Sequence, residues 1–144
     1  MAGFNKFQDF VEALCEKAHD LSADTLNVYL SNAAPSASLD AIKADLAEIA
    51  TGSGYTGPVD TQNTGAEASG TYTLTGTKVV ITASGGSIAA FQYVVLYNDT
   101  GTIPGADPLI GWWDYGSALT LLDGESLSIK FNSSETTGTI LTVA

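Results

Sequence analysis

The chain has 144 residues, enough for one domain whose core needs no disulfide or metal to hold it together. Five lysines, no arginine and sixteen acidic residues give a net charge of −11, which speaks against a nucleic-acid backbone or an anionic membrane surface as partner. The single cysteine, Cys15, and single histidine, His19, exclude an internal disulfide and Cys- or His-rich metal centres, and no apolar run reaches the roughly 18 residues of a membrane span.

The opening segment reads as an amphipathic helix over 1–21. Phe4, Phe7, Val11, Leu14, Ala18 and Leu21 recur at spacings of three and four, and Asp9, Glu12, Glu16, Lys17 and Asp20 fall off that stripe. Asn5 or Gly3 marks its start. Lys6, Asp9 and Glu12 interrupt the run too early for a secretory signal. The stripe serves either the domain's own core or a neighbouring subunit. Over 26–50 a strand comes first: Leu26, Val28 and Leu30 alternate with polar neighbours until Pro35 and Ser36 break the pattern. Leu39, Ile42, Leu46 and Ile49 then return to helical spacing, giving a short helix at 39–49 or an extended connection. Residues 51–70 form a Gly-rich loop, with Gly52, Gly54, Gly57, Gly65 and Gly70 among polar residues. A loop of that length inside a domain is usually functional or ordered against a partner. GSGYTG lacks the lysine of a phosphate loop.

Residues 71–144 carry the β-sandwich body. Thr71–Thr75 and Lys78–Ala83 read as a hairpin about Gly76, and FQYVVLY (91–97) as a central strand buried on both faces. After the turn-rich 98–108 comes LIGWWDY (109–115). Asp123-Gly124-Glu125 reads as a hairpin turn before the alternating Leu127, Ile129 and Phe131, and 139–143 closes the chain. About seven strands at close spacing, without β–α alternation, predict a mainly β fold. It is an antiparallel β-sandwich or jelly-roll-like barrel with an N-terminal amphipathic helix.

The inventory for catalysis is thin. There is no G-x-S-x-G elbow, Cys15 and His19 share one helix without an orienting third group, and Asp107, Asp114, Asp123 and Glu125 lack the spacing of a calcium loop. The reading is of a non-enzymatic protein without cofactor or metal. Trp112, Trp113 and Tyr115, with Tyr93 and Tyr97, form the main aromatic group. Adjacent tryptophans in a strand point to opposite faces. One fills the core, and the other is left for a subunit interface, an intramolecular cover or a sugar.

The segments FNKFQDFVEALCEKAHDL, DTLNVYLSNAAPSA, EIATGSGYTG, FQYVVLYND and DPLIGWWDYGSALTLLDGESLSIKF cover most of the chain. In this order they resemble small tailed-bacteriophage virion proteins, similar to capsid decoration or cement proteins. The resemblance implies a β-rich structural protein made in the host cytoplasm and present in many copies on the outer surface of the capsid. Its partners would be the major capsid protein and copies of itself. Candidate interface residues are Phe4, Phe7, Val11, Leu14, Tyr55, Trp112, Trp113 and Tyr115. Other readings are a tail or baseplate component, a carbohydrate-binding module using an exposed tryptophan and, weakest, a small hydrolase.

Overall fold

A computed structural model describes residues 2–144. Its order is β1 (Phe4–Lys6), α1 (Gln8–Cys15), β2 (Leu26–Ser31), β3 (Val59–Asp60), β4 (Thr64–Ala68), β5 (Thr71–Thr77), β6 (Val79–Thr82), β7 (Phe91–Asn98), β8 (Leu109–Leu119), β9 (Ser126–Ile129) and β10 (Thr137–Val143). With 43% strand and 10% helix, the fold is mainly β. All strand pairs are antiparallel. They make a five-stranded sheet in the order β1-β8-β7-β2-β3, a three-stranded sheet β10-β5-β4 and a two-stranded sheet β6-β9.

Two hydrophobic clusters lie on opposite faces of the five-stranded sheet. Val28, Leu30, Leu96 and Ile110 face the larger one, which they share with Leu74 of β5, Ile81 of β6, Ile129 of β9 and Ile140 of β10. This is the sandwich core. Tyr29, Val95, Tyr97 and Leu109 face the smaller one, closed by Phe7 and Leu46. β7 is the middle strand of its sheet, and its consecutive Val95 and Leu96 enter different clusters. Its near-continuous apolar run therefore reflects burial on both faces. A register shift between Leu96 and Tyr97 leaves Ile110 of β8 as the extra residue, and Ile110 is buried in the larger core.

Several sequence expectations are corrected. The helix is confined to Gln8–Cys15; Phe4 belongs instead to β1, opposite Trp113, and residues beyond Cys15 leave the helix. The helix ends in a Schellman-type cap: Lys17 adopts a left-handed φ of 66°, and the Ala18 amide reaches back to the Ala13 carbonyl at 2.8 Å. Its buried side chains are Phe10 and Ala13, preceded by Phe7. Residues 39–49 form an extended connection with a single 3₁₀ turn at Lys43–Asp45, laid over the smaller cluster. Within 51–70 the chain is not one long loop, for β3 and β4 lie there.

Gly76 marks no hairpin. β5 runs straight through it, and the chain passes to another sheet at Lys78. The glycine is needed for packing, because a Cβ there would come within 2.8 Å of Ile140 Cδ1 and 2.9 Å of Phe131 Cε2. Asp123-Gly124-Glu125 does form a turn, with Gly124 at φ 87°, but it delivers β9 to β6 rather than back onto β8.

Candidate interaction surfaces

Asn98, the last residue of β7, organises the only cluster that includes the histidine. Its Oδ1 accepts the Thr100 and Gly101 amides, each at 2.9 Å, which fixes the orientation of the side-chain amide. Its Nδ2 therefore donates to Asp24 Oδ2 at 2.6 Å and to His19 Nδ1 at 3.0 Å. With Nδ1 accepting, the neutral ring carries its proton on Nε2, which is buried without a partner. The ring sits 5.3 Å from that of Phe10. Burial lowers the imidazole pKa, while the Asp24 carboxylate opposes the shift. The cluster ties the 16–25 connection to the end of β7. His19 is 6% exposed, and its Nε2 is buried without a hydrogen-bond partner.

A second polar cluster stands on the smaller core. Lys43 pairs with Glu48 at 2.8 Å and lies 5.1 Å from the centre of the Tyr29 ring. Glu48 accepts the Tyr55 hydroxyl proton at 2.6 Å, and the same hydroxyl accepts the Leu30 amide at 3.1 Å. Burial and the neighbouring Glu48 carboxylate push the Tyr55 phenol far above its ordinary range. Tyr55, expected at an interface, is thus a buried fastener between its own segment and β2.

The other candidate interface residues divide by environment. Phe7 is fully buried against Trp112, their rings 4.6 Å apart. Trp113 lies between Phe4 at 5.2 Å and Phe131 at 5.6 Å. Both indoles are half-buried and packed against phenylalanines of the same chain, so neither stands out as an open stacking platform. Val11 and Tyr115 are the exposed ones, at 43% and 60%.

Around Val11 the surface is concave. A cleft of about 710 Å³ runs between α1 and the end of β10, lined by Phe4, Lys6, Phe10, Val11, Leu14, Cys15 and residues 140–144. Leu14 and Val143 also wall a second cleft, of about 570 Å³, that continues past Lys17, Leu21 and Tyr72 to Thr100–Ile103. Periodicity picks out Phe4, Val11 and Leu14 but not the opposing wall of β10, because that wall is 126 or more residues away in the chain.

Tyr115 lines the edge of a recess where the β7–β8 pairing is irregular. Between Phe91↔Leu119 and Tyr93↔Asp114 the strands β7 and β8 lose register, and Tyr115–Ala118 project as a bulge turned by Gly116 at φ 96°. The Asp114 carboxylate secures its base, accepting the Gly116 amide at 2.7 Å and Gln92 Nε2 at 3.0 Å. Beside it is a recess of about 350 Å³ walled in part by Val94, Trp113, Leu127 and Ile129.

Among the described residues, no three His, Cys, Asp or Glu side chains converge as a metal-binding group. None of the described helices is long and apolar enough to cross a membrane. Comparisons with protein-family models, with curated proteins and with solved structures give no match.

Proposed function

We propose that this chain is a non-enzymatic structural protein of a tailed-bacteriophage particle, decorating the icosahedral capsid and cementing it by bridging major capsid subunits. The observation that carries the docking part is the Tyr115 projection: an exposed aromatic on a short, well-anchored bulge beside an apolar recess. Tyrosines of this kind are frequent energetic anchors of protein interfaces. The particle itself comes from the resemblance of the quoted segments. A net charge of −11 supports the reading, since it keeps free copies soluble and steers them away from DNA. The jelly-roll-like form belongs to the same proposal, supported by one core shared among sheets of five, three and two strands.

The experiment is deletion from the particle followed by add-back. Particles lacking the protein assemble but release DNA at a lower temperature than wild type, and purified protein restores them. Tyr115→Ala weakens binding to preassembled capsids by about 2 kcal/mol, near thirtyfold. Deletion particles as heat-stable as wild type overturn the cementing role. Antibody labelling confined to tails replaces it with the tail or baseplate reading.

A further inference from the structure

Asn98 is clamped in one orientation. Its Oδ1 accepts the backbone amides of Thr100 and Gly101, so the side chain can present only its Nδ2 to His19. The contact therefore holds only while Nδ1 of the ring is a bare acceptor. A proton on Nδ1 would turn the 3.0 Å contact into two N–H groups facing each other. Over residues 16–20 this is the one side-chain hydrogen bond to another element among the described residues, since those of Asp20 stay within the connection. From Leu21 onward the chain is held independently. Asn63 Nδ2 donates to the Leu21 and Asp24 carbonyls at 2.8 and 3.1 Å, the Thr25 amide donates to Thr100 Oγ1, and the Asp99 amide donates to the Thr25 carbonyl.

The charged and titratable groups on the same cleft wall as His19 are Lys17, Asp20, Asp24 and Tyr72. Burial and Asp20 hold the Tyr72 phenol above its ordinary range, so it stays neutral. The 100–103 segment brings no titratable group to that wall, and β7 and α1 offer the ring Asn98 and Phe10, neither of which titrates. Asp9, Glu12 and Glu16 of α1 line a different cleft, with Ile103 and Pro104. Asp24 is the charge that acts on the ring, and its Oδ2 is already taken by Asn98 Nδ2 at 2.6 Å and the Asp20 amide at 2.8 Å. An imidazolium formed in place would thus find no free acceptor, because Nδ1 faces an amide nitrogen and Nε2 is buried without a partner. Such a charge is costly inside a protein and is relieved by moving into water. We propose that the Asn98–His19–Asp24 cluster is an acid-sensitive latch: protonation drives the His19 ring off Asn98 and frees residues 16–20, while Asn98 stays clamped to Asp24 and to the Thr100 and Gly101 amides. The ring that leaves lies against Phe10, so the open latch uncovers the sandwich core at that residue. The proposal goes beyond the capsid reading and does not depend on it, because the purified protein alone is the test object.

Amide hydrogen exchange, followed residue by residue by NMR at about pH 7.5 and about pH 5.5 and corrected for the intrinsic pH dependence of exchange, reads it out. The Ala18 and Asp20 amides, bonded to the Ala13 carbonyl and to Asp24 Oδ2, report on the segment that is freed; those of Thr100 and Gly101 report on the clamp. Opening takes up one proton on a ring whose ordinary pKa is about 6.5. Protection at Ala18 and Asp20 should therefore fall about tenfold over this interval, with Thr100 and Gly101 unchanged. His19→Gln keeps an acceptor for Asn98 but does not titrate, and should abolish the fall. The ring nitrogen shifts of the wild type, which need no variant, should place the proton on Nε2 at the higher pH and show Nδ1 gaining one with the same midpoint as the loss of protection. Unchanged protection at Ala18 and Asp20 overturns the proposal. So does an equal loss at Thr100 and Gly101, a fall that persists in His19→Gln, or a neutral ring that carries its proton on Nδ1.

Discussion

At the scale of single residues, Asn98 and His19 carry the least expected chemistry. Asn98 beside Asp99 has the look of an exposed turn residue, yet it is fully buried and spends its amide on four hydrogen bonds. No local pattern announces this, because the partners at 19 and 24 are more than 70 positions away. The pH dependence follows from the same geometry. Burial holds the folded-state pKa of His19 below its ordinary 6.5, so the unfolded chain takes up this proton first as the pH falls. The stability it contributes is whole above about pH 6.5 and declines as the pH drops through that value toward the folded-state pKa. Melting temperature should therefore already fall between pH 7 and 5, and His19→Gln should flatten that part of the profile. Asp20, Asp45 and Glu135, held below the usual carboxylate range by hydrogen bonds from Ser22, from the Ala41 and Ile42 amides and from Lys130, keep their contribution across this range and lose it only at more acidic pH. A profile flat from pH 7 to 5 in the wild type would mean that burial does not hold the His19 ring neutral in the folded protein.

At the scale of elements, the strands were far more legible than the helix. β7 and β9 could be read because their apolar content is dictated by which faces they bury. The helix was overextended because its stop signal is missing. The left-handed C-terminal position normally held by glycine is Lys17, and Ala18 and Leu21 continue a helical spacing by coincidence. Gly76 misled in the opposite sense, as a glycine chosen for contact with Ile140 and Phe131 looks the same in sequence as one chosen for a turn. Of the surfaces, the exposed Val11 and Tyr115 were within reach of sequence, whereas the burial of Tyr55 depends on Glu48 and the Leu30 amide. The cap makes a prediction of its own. Lys17→Gly should stabilise the protein by roughly 0.5–1 kcal/mol, because glycine adopts φ near +66° without the strain of a side chain. Chemical denaturation measures the gain, and a loss of stability would mean that packing of the lysine stem outweighs the cost of its cap conformation.

At the scale of the whole molecule, charge imbalance outweighs charge pairing. Sixteen acidic groups face five lysines, and the three ion pairs among the described residues engage only Glu48 and Glu135. The net electrostatic term is self-repulsion, which salt screens within about 10 Å at 0.1 M. The melting temperature should rise on going from a few millimolar to about 0.2 M sodium chloride; a fall would mean that the ion pairs matter more than the excess charge. The arrangement of Trp112 and Trp113 has an optical consequence. Their indoles stand on opposite sides of β8, one against Phe7 and the smaller cluster, the other against Phe4, Phe131 and the sandwich core. Intrinsic fluorescence is therefore the sum of two emitters in two separate compartments. Trp112→Phe leaves a light source that watches only the sandwich, and Trp113→Phe one that watches only the layer beneath the 39–49 connection. Coincident melting curves from the two would mean that β7 couples both compartments into one cooperative unit, and separated curves would give the order in which the layers come apart.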